Sequence, residues 1–440
     1  MDFLTNAAAF VFVLGLMIFF HEFGHFITAK AFGMRVFIFS FGFGRRLFGF
    51  HWGDTDCRVS LIPLGGYVKL EGEPDDQLSE DVSKSGDSRD FTSRPRWQRF
   101  VVYLAGPAMN GVLTVSVLTI LYMIGFQVDA TLYDPPVIGA VDAGSPAEQS
   151  GIRPGDEIVE IDGKRQASWE DAQYNLLIRP NATLTLKLRR GAEERALQLR
   201  STSATAERVG SIGVYPLVRV GQITEGAPAQ AAGLKSGDAI LRIGGKPVRS
   251  FEEIPGLLAE AAGKPLQLEV WREGGVSELS VTPRDDGQGP RIGVARRMTV
   301  KRFAAVGAVQ EALRWTWSMT VQTFEVLGRL VTAQISPKTM MGPLGIAKAS
   351  GDAARGGAGP LFYLVAVISL QIGILNLFPL PPLDGGHLAI LAGEGLLRRD
   401  FTVEAKTWIM NAGAMVLFLL IGLVLYSDLS KTSMFGRFLP

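Results

Sequence analysis

The sequence predicts a polytopic α-helical membrane protein with four transmembrane helices, a membrane-associated β-hairpin and a long outside segment of two small β domains. Three observations carry this. Four long apolar runs punctuate the 440 residues, 47% of which are hydrophobic. A block at 144–164 recurs at 226–246. The pentapeptide HEFGH, residues 21–25, closes the first apolar run, where histidines and a glutamate need a reason.

The bulk numbers remove several function classes. A net charge of +1 offers no basic excess to meet nucleic-acid phosphates. The single cysteine, Cys57, excludes an intramolecular disulfide framework and a Cys-rich metal site, and it reads as a small buried residue.

The four runs lie at roughly 4–29, 100–126, 360–383 and 407–427. Each approaches or exceeds the roughly 20 residues needed to cross a hydrocarbon core. A cleaved signal peptide explains the first run poorly, because only Asp2 precedes it and no small-x-small site follows. Basic residues near span ends set orientation. Lys30, Arg35, Arg45, Arg46, Arg58, Arg94, Arg96 and Arg99 fill the loop after span one; Arg398, Arg399 and Lys406 fill the loop after span three. Both loops are expected on the cytoplasmic side, with both termini and the segment 127–300 outside. His21 then lies near the cytoplasmic end of its span.

The outside segment repeats itself. GSPAEQSGIRPGDEIVEIDGK (144–164) matches GAPAQAAGLKSGDAILRIGGK (226–246) without a gap, at an offset of 82. Self-similarity at a fixed offset means two copies of one structural unit. Each copy has a helix start, a glycine turn, an alternating strand and a hairpin-type Asp-Gly or Gly-Gly. The block resembles PDZ domains in their permuted bacterial order. That resemblance implies two periplasmic PDZ-like β-sandwich domains, at 127–220 and 221–298, with the carboxylate-binding strands at 211–214 and 291–294. It also implies grooves that take peptide C-termini by strand addition. A spacer without a ligand is the competing reading.

HExxH on a helix puts His21 and His25 one turn apart on one face, within reach of one metal ion. Two nitrogens and a carboxylate with an open fourth position suit zinc. Glu22 stands beside that face as the candidate general base. Ionisable groups in a span cost about 2.5–3.5 kcal/mol each, and metal ligation supplies the reason; histidines that snorkel to the interface are the bland alternative. A third ligand is expected in NLFPLPPLDGGH, residues 376–387. Asp384 is the first candidate and His387 the competing one. Gly385 and Gly386 read as a tight turn beside the metal. His51 reads as interfacial.

IPLGGYVKLEG (62–72) is too short and broken to span, and reads as a β-hairpin dipping in from the cytoplasmic side. An exposed edge there would hold an unwound substrate as an added strand, with Gly65, Gly66, Tyr67 and Val68 as the binding residues; a purely structural hairpin is the alternative. Residues 301–335 have helical spacing and mixed polarity, as expected of an amphipathic helix on the outer membrane surface, a gate over the substrate path, or of a core-packing helix. Patches 72–90 and 284–290 read as solvated linkers, and 71–81 as a flexible acidic loop. The expected domains are 1–126, the two copies, 299–356 for the surface helix and linker, and 357–440 for the last two spans.

HExxH in span one, LDGG after span three and the repeats between spans two and three resemble the site-2 protease family of intramembrane zinc metalloproteases. FSFGFG (39–44), IPLGGYVK (62–69), AGPAMN (105–110) and GPLGIAK (342–348) extend the resemblance along the chain. It implies one Zn²⁺ held by His21, His25 and Asp384, Glu22 as catalytic base, and Asn376 steadying substrate or oxyanion. It implies an inner-membrane endopeptidase making the second cut in single-span proteins such as anti-sigma factors or remnant signal peptides. A non-catalytic PDZ-bearing receptor or scaffold is the competing class, although a scaffold has no need of Glu22. A metal transporter would need more polar spans.

Overall fold

The computed structural model describes residues 2–72, 88–203, 209–260, 263–272, 275–285, 289–336 and 340–431. Most of the acidic loop 71–81 and of the linker 72–90, and part of the linker 284–290, lie outside them. Two compact units emerge. One is Met1–Phe126, Arg302–Glu325 and Met340–Pro440; the other is Gln127–Lys301 with Val326–Thr339.

The first unit contains helices α1 (Asp2–Ala31), α2 (Arg96–Ile124), α3 (Ala305–Val331) as far as Glu325, α4 (Pro343–Arg355), α5 (Ala358–Asn376), α6 (Asp384–Leu397) and α7 (Val403–Lys431). Among the described residues, four are long and apolar enough to cross a membrane: α1, α2, α5 and α7. Pro95 precedes α2 and Gly125 caps it with positive φ, so its ends follow from local chemistry. A core of Val13 and Met17 on α1, Leu113 on α2, and Val365 and Ile368 on α5 packs these helices together.

Several expectations need correction. Span three stops at Asn376 rather than at residue 383, because Pro379, Pro381 and Pro382 cannot continue a helix. Gly385 and Gly386 do not form a tight turn. They open α6, where a Cβ on Gly385 would stand 2.2 Å from the Phe378 carbonyl oxygen. Glycine there lets the new helix lie directly on the chain that precedes it. The fourth span is longer than 407–427, and α7 therefore includes Glu404, Lys406 and Asp428. The stretch expected as a linker before residue 357 contains α4.

The β-hairpin is larger than 62–72. Strand β1 (Val36–Trp52) pairs antiparallel with β2 (Thr55–Leu70), so IPLGGYVK is part of one strand and FSFGFG belongs to its partner. Residues 38–41 pair with 66–69 and also with 56–59, so the long strands bend back on themselves. Gly42, at φ +92°, permits the bend, and a Cβ there would meet the Ile62 carbonyl at 2.7 Å. Phe26, Phe39, Cys57, Phe91 and Val102 clamp the hairpin to α1 and α2.

Helix α3 keeps only Ala308 and Ala312 buried and exposes Val306, Leu313 and Trp317. One edge rests on α5, through Trp315 against Tyr363 and a Gln371–Thr323 hydrogen bond of 2.9 Å. The stretch is thus an amphipathic helix with an apolar stripe left open, packed along one line.

The second unit holds two β bodies, each with its own core. The first is built on Ile138, Ala147, Ile152, Ile158 and Ile161, and the second on Val220, Ala229, Leu234, Ile240 and Ile243. These five pairs keep the offset of 82. In each body a late strand pairs with the first one: Val214–Pro216 with Ile138–Val141, and Val294–Arg296 with Val218–Ile223. Val218 already belongs to the second body, three residues before the expected start at 221. The repeat also reaches further than the matched block. Buried Asp156 accepts two hydrogen bonds from Arg190, at 2.6 and 2.8 Å, and buried Asp238 accepts two from Arg272, at 2.8 and 2.7 Å. Each arginine also donates to a turn carbonyl, of Gly151 or Gly233.

Burial works to raise the Asp238 carboxyl, but the Arg272 bonds and the Lys235 N–H outweigh it and hold its pKa below the ordinary value. A depressed carboxylate stabilises the fold above its unfolded pKa of about 3.9, and the contribution is lost as pH falls through the folded value. Asp238→Ala is expected to cost the second body about 1.5–3 kcal/mol at pH 7. In urea unfolding followed by near-ultraviolet circular dichroism, the difference from the native chain should shrink as the pH is taken below 4.

Candidate active site

Helix α1 delivers His21, Glu22 and His25 to one side because positions 21 and 25 are a turn apart. Helix α6 delivers Asp384 at its first turn, where a carboxylate suits the positive helix end. The two meet. One donor atom from each of His21, His25 and Asp384 lies within 4.8 Å of the others. Asp384 Oδ2 is 3.1 Å from His21 Nε2, Asp384 Oδ1 is 3.5 Å from His25 Nε2, and the two Nε2 atoms are 3.3 Å apart. His25 Nδ1 bonds the Val102 carbonyl at 2.8 Å, which puts its proton on Nδ1 and its lone pair on Nε2.

Small residues make this approach possible. A Cβ on Gly24 would stand 2.3 Å from the Ala105 carbonyl oxygen, and one on Gly106 would stand 2.3 Å from His25 Nε2. AGPAMN is therefore the surface of α2 on which the histidines rest.

These groups line a cavity of about 430 Å³. All nine residues singled out from the sequence line it: His21, Glu22, His25, Gly65, Gly66, Tyr67, Val68, Asn376 and Asp384. Among the described residues, 66–69 pair only with 38–41, and Gly65 to Val68 line the cavity. Glu22 lies against this strand, since a Cβ on Gly66 would stand 3.1 Å from its Cγ. His387 lines the cavity too, but it stacks on Tyr103 at 4.6 Å and is not in the three-residue cluster. His51 is exposed, pairs with Asp56 in the hairpin and stays out of the cavity.

The donor set suits zinc by its own chemistry. Two imidazole nitrogens and a carboxylate converge, as a zinc site requires. Asp384 Oδ2 is buried and accepts no hydrogen bond from the described residues. That orphaned oxygen is one a cation would satisfy. The residues fit.

The sequence reading did not single out Asn110, which is fully buried with Nδ2 3.3 Å from His21 Nδ1. Its only signal was a polar residue ending AGPAMN in an otherwise apolar run.

A profile described as peptidase family M50 matches residues 9–420. This chain belongs to peptidase family M50. It is thereby a zinc metalloprotease of the site-2 type. The family member from Escherichia coli named regulator of sigma-E protease RseP is 32% identical, over 98% of this chain and 100% of its own. That of Salmonella typhimurium, with the same name, is 31% identical over 97% and 99%. A putative zinc metalloprotease of Vibrio cholerae is 30% identical over 98% and 99%. Among solved structures, the PDZ domain of an SdrC-like protein from Listeria monocytogenes covers 19% of this M50 chain and 88% of its own, at 21% identity and a TM-score of 0.18. That likeness is too slight to argue from.

Gly106→Ala places a methyl against both imidazoles. Zinc affinity of the purified peptidase, read by competition with a chelator, is expected to fall by about tenfold or more.

Proposed function

We propose that this peptidase cuts single-span membrane proteins inside their membrane segment, with His21, His25 and Asp384 holding zinc and Glu22 as the catalytic base. The observation that carries the reading is the three-donor cluster, drawn from a spanning helix and from the helix that follows span three. When bound, zinc supplies a Lewis acid that polarises the scissile carbonyl and makes water more acidic. Glu22 takes the proton of the attacking water and returns it to the leaving amine. Gly66 of the hairpin packs against the Glu22 side chain. Asn376, at the end of α5, offers its amide to the substrate carbonyl.

A peptide bond in a helix is hydrogen-bonded and shielded, so the substrate must be extended before attack. The unpaired edge at 65–68 takes it as an added strand. Breaking a transmembrane helix beside a strand edge replaces its lost hydrogen bonds, which lipid would not do.

The two β bodies are PDZ domains in this reading. They stand in the periplasm, with the enzyme in the inner membrane and its site towards the cytoplasm. Their pairing of a late strand with the first one matches the permuted order, and the grooves beside 211–214 and 291–294 take the new C-terminus left by a first protease. The relatives named for sigma-E regulation point to an anti-sigma factor as substrate, freed into the cytoplasm by the second cut.

The test is cleavage of a tagged single-span anti-sigma substrate, already truncated outside. Glu22→Gln should cut it about 10²–10⁴-fold more slowly while keeping zinc. Equal cleavage by the native chain and this variant would sink the mechanism.

A further inference from the structure

The two histidines are not held alike. His25 Nδ1 has the Val102 carbonyl, an acceptor that leaves Nε2 free to ligate. At His21 Nδ1 stands an amide nitrogen, Asn110 Nδ2, at 3.3 Å, while Asn110 Oδ1 is buried without a hydrogen bond among the described residues. In this arrangement His21 Nδ1 must be the acceptor, so its proton sits on Nε2, where His25 Nε2 accepts it at 3.3 Å. A histidine protonated on Nε2 cannot ligate through Nε2. Ligation moves the proton to Nδ1, and two N–H groups would then face each other. A half-turn of the amide about Cβ–Cγ exchanges its two ends, which differ only in hydrogen-bond role. Oδ1 then meets the Nδ1–H.

We infer that Asn110 is the positioning residue of His21: its Oδ1 accepts the Nδ1–H and locks the tautomer and ring angle in which Nε2 binds zinc. An acceptor behind a ligating imidazole is what orients it and raises its basicity. The surroundings give this side chain one place to stand. Asn110 is fully buried, and its carbonyl is tied by Ser369 of α5 at 3.0 Å and by Thr114 at 2.9 Å. These tethers use the main chain, so substitutions of the side chain leave them in place. Asparagine also suits both states, since one end serves the metal-free tautomer and the other the metal-bound one.

The inference rests on His21 as a ligand, and the experiment separates the two. Zinc affinity of the full-length protein in detergent is measured by competition with a chromogenic chelator, for Asn110→Asp, Asn110→Leu and His21→Ala. Asn110→Leu keeps the branched shape and the number of heavy atoms, though it is bulkier, and has no acceptor; it should bind zinc about 10–100-fold more weakly. Asn110→Asp keeps an acceptor and has no donor, and should bind within about threefold of the native chain. If the leucine variant does not fold, Asn110→Ser replaces it, because its hydroxyl is too short to reach His21, and the same loss is expected. Native affinity in the leucine or serine variant overturns the inference, and so does an aspartate variant as weak as leucine. Native affinity in His21→Ala overturns the metal-centre reading itself. Loss in His21→Ala with none in the leucine or serine variant leaves that reading standing and removes only Asn110.

Discussion

Ionisable side chains in an apolar helix are tolerated only where something pairs them, and the rest of the first unit is arranged around that constraint. Each uncompensated group costs about 2.5–3.5 kcal/mol within a span. His21, Glu22 and His25 would therefore make α1 a poor spanning helix on its own. Their compensation comes from other elements: Asp384 from α6, and the Val102 carbonyl and Asn110 from α2. Gly24 and Gly106 exist at the contacts where a Cβ would keep these elements apart. The same groups that make the helix insertable make the site.

The break after Asn376 follows from the same logic at the backbone. Three prolines free main-chain groups that lipid cannot satisfy. Here the freed chain is covered by α6, whose Gly385 sits on the carbonyls of Leu377 and Phe378. The break costs helix, but it turns the chain so that Asp384 enters the site at a helix N-terminus. A continuous helix would carry residue 384 about a further turn or two along the axis, past the depth of His21.

How much of this was legible in the sequence depended on distance along the chain. The HExxH pair, the four apolar runs and the 82-residue offset are local or periodic signals, and periodicity is what a sequence displays. All nine site residues named from motifs line one cavity for that reason. The hairpin was half seen, because its pairing returns 38–41 to both 66–69 and 56–59, and no local pattern encodes a strand that bends back. Asn110 was missed because its partner lies 89 positions away on another helix. Arg190 and Arg272 were within reach: carrying the offset of 82 beyond the matched block aligns them, and each bonds the aspartate of its own copy.

Asp428 shows why an ionisable residue in a spanning helix does not by itself mark chemistry. It lies in α7, buried, with Oδ1 accepting from the Gly342 N–H at 3.1 Å and Oδ2 from the Gly345 N–H at 3.0 Å. Those are orphan donors of the first turn of α4, so the carboxylate caps that helix and pins it to the last span. Both of its oxygens are used. Asp384 is equally a carboxylate at a helix start, yet its Oδ2 accepts no hydrogen bond among the described residues, and its two oxygens face one imidazole nitrogen each, Oδ2 that of His21 and Oδ1 that of His25. The two sites differ in what surrounds the oxygens rather than in residue type or depth. Backbone donors complete Asp428 and leave it inert. Around Asp384 the donor atoms of two histidines converge without backbone partners, an arrangement that a cation would complete.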